Sequence, residues 1–475
     1  MIAAAPLVLG MRRLLIPILL ILGLGLRSYH YLRDRAVWQD EAGLLLTVGA
    51  RSFSDLFLGR LDYHQAAPPL YLWTLKAVGL LVGDSSYALR LPSFLAGCTA
   101  LLLFAFVVQR MLTAAAAAWA VLWFAVSEQL LWHASEAKAY SIDVLAAVVV
   151  LAVPYCPWLD FLRRQLWAYS LLLPILLLSS FPACFLGVGL LLAYGPVVCR
   201  QRERTIWPAY AALATTTLTV LLWLVTGPVR SQHDAEIHSC WISCMPNWQR
   251  PATVPGWFLL APFEVCRYCC KPLGQVLAPF VVAGTLLLWR AGESTRVCSM
   301  LTPIFLALGA ACVHVYPFGG ARVMAYATPA LLLLAAAGVP PMLTWLSARS
   351  RLACIVPLGL LLIPAASSVE QVVHNWTEAD IPAAAAYVQS QRRDDDLILG
   401  NDVAQQYYFR HVGSAFHLLD DSPLPLPTGE RLWVLMTAAL PQEERERLAS
   451  HFVPPGWRPL RQREFAFTTV ILFSR

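Results

Sequence analysis

The sequence predicts a polytopic α-helical membrane protein with a small α/β domain at its C-terminal end. Three observations carry that expectation. Of 475 residues, 58% are hydrophobic and only 13% are charged, and mean hydropathy is +0.59. A soluble domain carries about 25% charged residues, which it needs to solvate its surface. The apolar content equally excludes a disordered chain.

The spans follow from the apolar runs, since a crossing helix needs about 20 mostly apolar residues. Eleven runs qualify: roughly 14–32, 91–109, 113–131, 139–155, 166–180, 182–199, 206–228, 274–289, 297–315, 323–343 and 352–369. Arg12 and Arg13 precede the first run. Every second connection then holds Arg110; Arg163 and Arg164; Arg200, Arg202 and Arg204; Arg290 and Arg296; and Arg349 and Arg351. That is the positive-inside pattern, so the N-terminus is expected in the cytoplasm and the C-terminal domain outside, in a bacterial-type inner or plasma membrane. The first run is expected to be retained, because Arg27-Ser28-Tyr29-His30 follows it with no small-residue cleavage site.

The formal charge of +6 by itself admits a nucleic-acid partner. Its distribution argues against one. The expected inner loops hold 12 basic residues against Asp160, Glu203 and Glu293, while the tail from 370 carries 10 basic and 14 acidic residues. The excess is a topology signal.

Two domains are expected: residues 1–369 in the membrane and residues 370–475 as an extracytoplasmic α/β domain. Residues 68–83 are apolar but short. They start with Pro68-Pro69 and carry Lys76, and a span there would invert every later loop. They are expected as a helix lying at the interface within a first outer loop of 33–90. A second outer loop, 229–273, holds Cys240, Cys244, Cys266, Cys269 and Cys270. Disulfides are expected in an oxidising compartment; Cys240-x3-Cys244 and Cys266-x2-Cys269 leave a zinc site as the rival. In the tail, strand-like runs at 396–399, 432–436 and 465–473 alternate with helix-like stretches at 380–392 and 402–410 and an amphipathic stretch at 441–452. Asn375-Trp376-Thr377 matches a glycosylation sequon.

Ionisable residues beside spans are expensive and therefore informative. Four clusters fall on the expected outer face. Asp40 and Glu41 follow the first span; adjacent carboxylates raise one pKa, as hydroxyl activation requires, or they form a solvated turn. Asp62, His64 and Gln65 precede Pro68-Pro69, where His64 is either a proton relay or a cap at the membrane surface. Glu136, Tyr140 and Asp143 share a face if the segment is helical. Lys138 lies off that face and on the side where positive charge is disfavoured, so it is either a phosphate ligand or a snorkelling lysine. Tyr316, Gly319-Gly320, Arg322 and Tyr326 form a tight turn and a helix start, with Arg322 suited to a phosphate or to interfacial packing. No Walker pattern or dinucleotide fingerprint is present, and no metal ligand set is evident. A divalent metal beside Asp40 and Glu41 stays open.

Three segments carry a resemblance: Asp40-Glu41-Ala42; Leu61-Asp62-Tyr63-His64-Gln65-Ala66-Ala67-Pro68-Pro69-Leu70-Tyr71; and Ala88-Leu89-Arg90-Leu91-Pro92-Ser93. Together with Glu136-Ala137-Lys138-Ala139-Tyr140-Ser141 and Tyr316-Pro317-Phe318-Gly319-Gly320-Ala321-Arg322, they resemble family 39-type membrane glycosyltransferases of the GT-C fold class. That class includes protein O-mannosyltransferases and lipid A aminoarabinose transferases. The resemblance implies a polyprenyl-phosphate-sugar donor and a lipid, glycan or protein acceptor, with no nucleic acid. It implies Asp40 as base with Glu41 beside it, and His64 among the site residues. Lys138, Arg322 and Tyr326 would be at the donor phosphate, and Asp62, Gln65, Glu136, Tyr140 and Tyr316 around the substrates. The mannosyltransferases keep a His directly before Pro-Pro, whereas here Gln65-Ala66-Ala67 intervenes. The competing expectations are a transporter or lipid flippase, which should show matched broken helices, and a non-catalytic assembly factor of the same fold.

Overall fold

The structure is a computed structural model. It describes residues 4–201, 203–232, 239–350, 352–374, 376, 378–419 and 429–475, with side chains from residue 14 onward. Arg202, Arg351 and the sequon positions Asn375 and Thr377 lie outside the described residues, as do the side chains of Arg12 and Arg13. Two compact units are present. The first comprises Met1–Arg33, Phe53–Arg60 and Ala66–His374; the second joins Asp34–Ser52 and Leu61–Gln65 to Asn375–Arg475.

The first unit is a helical bundle. All eleven apolar runs fall on helical backbone, but they are not eleven straight spans. Among the described residues, seven helices are by themselves long and apolar enough to cross a bilayer: Leu14–Leu32, Ser86–Met111, Ala183–Gln201, Trp207–Ser231, Ser294–Cys312, Arg322–Arg349 and Leu352–His374. Counting each of two bent pairs as one span gives up to nine: Ala114–Val126 with Glu128–Ala134, bent by 52°, and Pro251–Cys269 with Gly274–Arg290, bent by 106°. The remaining two runs become the 13-residue helix Tyr140–Ala152 and the Arg-bearing helix Leu162–Ser179.

The bundle is organised around Arg322–Arg349, whose apolar window is 83% buried, against 17–50% for the other six single helices. Glycines set its closest crossing. A Cβ on Gly284 would sit 1.8 Å from the Leu334 carbonyl oxygen, and one on Gly338 would sit 2.2 Å from that of Phe280. Only glycine lets the two backbones approach this far. The bend after Val126 also has a visible cause. Ser127 interrupts the helix, accepting from Leu130 N and donating to the Cys269 carbonyl at 2.9 Å. The carbonyls released by the break are satisfied from elsewhere: buried Arg27 donates to Phe124 O at 3.1 Å and Ala125 O at 3.2 Å. Pro69–Leu81 is helical and, at 13 residues or about 20 Å, too short to cross.

The expected loop 229–273 hides a helix, Val254–Cys269. Pro255, Pro262, Glu264 and Arg267 within it masked its apolar face. The expected disulfides are not formed, and all five cysteines are free thiols. Cys266, Cys269 and Cys270 lie together at the end of this helix, buried in the bundle, while Cys240 is exposed.

The second unit contains a five-stranded sheet of order β2-β1-β3-β5-β4, with β1 Leu397–Gly400, β2 Phe416–Leu418, β3 Arg431–Thr437, β4 Arg458–Phe465 and β5 Thr468–Ser474. β1 pairs in parallel with β2 and β3, and β5 runs antiparallel between β3 and β4. β3 reads as a continuous apolar run because both of its faces are covered. Trp433 and Leu435 face Ala384 and Val388 of the helix Ile381–Gln391. Leu432, Val434 and Met436 share the other face with Ala449 of the helix Gln442–His451. β4 was not expected: its sequence, Arg458-Pro459-Leu460-Arg461-Gln462-Arg463, is that of a solvated edge, where charge blocks further pairing. The three-residue β2 was also not legible.

Candidate functional site

Two groups of the expected residues are formed, one in each unit. In the second unit, Asp40 and Glu41 occupy the first turn of the helix Gln39–Ala50, where carboxylates complement the helix dipole. Glu41 is fully buried and Asp40 is half-buried. The helix is fixed at both ends. Before it, Val37 N donates to the Tyr408 hydroxyl at 2.8 Å, and Arg35 pairs with Glu378 at 3.4 Å. After it, Arg51 grips both carboxylate oxygens of Asp62, at 2.9 and 2.6 Å. The guanidinium holds the Asp62 carboxyl below the usual carboxylate range.

The turn that follows is pressed onto this helix. Tyr63 and His64 both have left-handed backbone, with φ of 55° and 51°. A Cβ on Gly43 would lie 2.9 Å from that of Tyr63, so glycine is needed at the contact. Gln65 is buried and donates to the Tyr63 carbonyl at 3.1 Å, whereas His64 is exposed. Asp62 and Gln65, expected around the substrates, thus have visible tasks in shaping the loop.

In the first unit, Ser135–Ala139 is not helical, contrary to the expectation for Glu136, Tyr140 and Asp143. It is a tight turn between the helices Glu128–Ala134 and Tyr140–Ala152, closed by Ser135 N to Trp132 O at 3.0 Å and Lys138 N to Glu136 O at 2.9 Å. The turn folds Glu136 back. Its carboxylate, fully buried, accepts from Trp132 Nε1 at 3.1 Å and meets His133 Nδ1 at 2.5 Å. Lys138, 6% exposed, has its carbonyl bound by Ser93 Oγ at 2.9 Å.

Arg322 begins a short 3-10 helix, Arg322–Ala327, after a turn in which Gly319 has φ of 124°. Its guanidinium carbon lies 5.8 Å from the ring centre of Tyr140 and 5.5 Å from that of Trp241, so two aromatic faces orient it. Tyr140 is two residues beyond Lys138, which brings the segments bearing both cations together. Tyr316 donates to Val323 O at 2.8 Å, and Tyr326, 1% exposed, donates to Pro303 O at 3.2 Å. These two hydroxyls, expected at the substrates and the phosphate, support the backbone. Beside Tyr326 a narrow apolar cleft lies between helices, lined by Ala147, Leu186, Met300, Pro303, Ile304 and Ala330.

Sequence reasoning passed over His133 and Tyr268. His133 Nε2 is hydrogen-bonded to the Tyr268 hydroxyl, which lies 3.4 Å from the Arg322 carbonyl. The i, i+3 spacing of His133 and Glu136 was the available signal; Tyr268 gave none. Among the described residues, no three His, Cys, Asp or Glu side chains converge as a metal site.

This bundle, with its first-loop carboxylate helix and small sheet domain, has the GT-C fold. The chain is similar to the crystal structure of ArnT from Cupriavidus metallidurans in the apo state, with TM-score 0.56 and 12% identity over 99% of this chain and 98% of that one. It is similar also to ArnT from the same organism bound to undecaprenyl phosphate, with TM-score 0.57 and 12% identity over 98% of each chain. No protein-family model and no curated protein sequence matches the chain.

Proposed function

We propose that the protein is a glycosyltransferase that moves a sugar from a polyprenyl-phosphate donor to an acceptor on the outer face of the membrane. One observation carries the reading: buried Lys138 and ring-flanked Arg322 belong to neighbouring segments of a helical bundle whose fold matches, over its whole length, a protein crystallised with undecaprenyl phosphate. Cations at a helix start and on a tight turn suit a lipid phosphate.

In this reading the acceptor oxygen attacks the anomeric carbon and the sugar–phosphate C–O bond breaks, with inversion. The bonding pair leaves with the lipid phosphate, whose charge Lys138 and Arg322 offset. The acceptor proton passes to Asp40, with Glu41 shaping the carboxylate's surroundings. His64, exposed on its turn, is assigned no proton step. The acceptor class is a lipid, glycan or protein.

The test is to incubate the purified protein with a panel of polyprenyl-phosphate sugars and measure release of lipid phosphate. Release that falls about 10²–10⁴-fold in Asp40→Asn supports the mechanism. Wild-type turnover by Asp40→Asn removes Asp40 as the base. Lipid crossing the bilayer with no sugar released would instead support a flippase.

A further inference from the structure

Three segments far apart in sequence meet through one buried chain of polar atoms: Glu136, His133, Tyr268 and the Arg322 backbone. Exposure is 0% for Glu136, 2% for His133 and 3% for Tyr268. His133 sits between a carboxylate on Nδ1, at 2.5 Å, and a phenol on Nε2. Its ring also packs on Tyr140, with centroids 4.7 Å apart. Such a chain costs too much to bury for packing alone, since each member is stabilising only while its partners are present.

The Glu136 carboxylate accepts from Nδ1–H. Nε2 is hydrogen-bonded to the Tyr268 hydroxyl, whose oxygen lies 3.4 Å from the Arg322 carbonyl.

We infer that His133 and Tyr268 are positioning residues that hold the Arg322 backbone beside the Glu136–Lys138 turn, so that both cations are set for one phosphate. The inference rests on the proposed role of Lys138 and Arg322. Glu136 and Tyr140 belong to the same device, one as its anchor and the other as the ring shared by His133 and Arg322. Neither His133 nor Tyr268 is assigned a contact with substrate.

The experiment compares binding of undecaprenyl phosphate and undecaprenol to the full-length protein in lipid nanodiscs, with the thermal midpoint recorded for each variant. Wild type should prefer the phosphate. Tyr268→Phe keeps the ring and removes the hydroxyl. It should weaken phosphate binding by about three- to tenfold, the range for one hydrogen bond, and change undecaprenol binding less than about twofold. His133→Ala should act in the same direction, and the double variant should be no weaker than the worse single one, because both interrupt one chain. Equal weakening for both lipids, or unchanged phosphate binding in a variant with wild-type thermal midpoint, overturns the inference. If Tyr268→Phe does not fold, His133→Ala decides by the same comparison. Arg322→Ala separates the two levels. If it weakens phosphate binding while Tyr268→Phe and His133→Ala do not, the relay fails alone. If wild type shows no phosphate preference, the proposed function fails and the relay with it.

Discussion

At the scale of single residues, several of the expected site residues shape the loops that carry them. Asp62 is the clearest case. Its carboxylate is bound at both oxygens by Arg51, which lowers its pKa, so the interaction is fully present above the ordinary carboxylate range. It is lost as pH falls through the depressed folded value. Asp62→Asn should therefore melt below wild type at pH 7, with a gap that closes below about pH 4. A gap that persists unchanged to pH 3 would contradict the pairing. The gap should be small, because the pair is partly exposed. Asp40 stands at the head of a helix clamped by Tyr408 and Arg51, and under the proposed function the loss of release in Asp40→Asn is the activity test at this scale. Cations on the disfavoured side, adjacent carboxylates and a glycine pair were all readable from the sequence. The partners were not. Glu136 meets His133 because Ser135–Ala139 breaks the helix, and that break depends on Ser135 bonding back to Leu131 and Trp132.

Among the helices and strands, the main features are a break and a close approach. The helix break at Ser127 is stabilised by Arg27, which lies about 100 residues earlier in the chain. The crossing of Gly284 and Gly338 is tighter than any side chain permits. Gly338→Val should cost about 1–3 kcal/mol or more of stability through overpacking. Gly359→Val, at a site where a Cβ meets nothing within 4 Å, is the matched control. Equal thermal midpoints for the two variants would refute the crossing. Apolar periodicity located the long helices of the bundle except Val254–Cys269, whose two prolines and two charges hid it, and it missed the short Phe53–Leu58. It missed β4 for a related reason: an exposed edge strand has no apolar face to show.

For the whole molecule, the first loop is divided. Asp34–Ser52 and Leu61–Gln65 form a compact unit with the tail, so the Asp40 helix is held by the C-terminal domain. Charge placement predicts that this unit lies outside the cell. A reporter enzyme active only outside, fused after Arg475, should be active, and a fusion in the 200–206 connection should be silent. The reverse result would invert the positive-inside assignment.

The sequence by itself determined that the chain is a polytopic helical protein with a small α/β tail, because hydropathy and charge bias are sums over local residues. It also placed Asp40, Lys138 and Arg322 beside helix ends. Only the tertiary structure decided that the Asp40 helix is clamped by Tyr408, that Arg322 lies between Tyr140 and Trp241, and that His133 links Glu136 to Tyr268. Apart from His133–Glu136, those contacts join residues tens to hundreds of positions apart. They arise from helix breaks and backbone approaches that leave no periodic trace in a single chain.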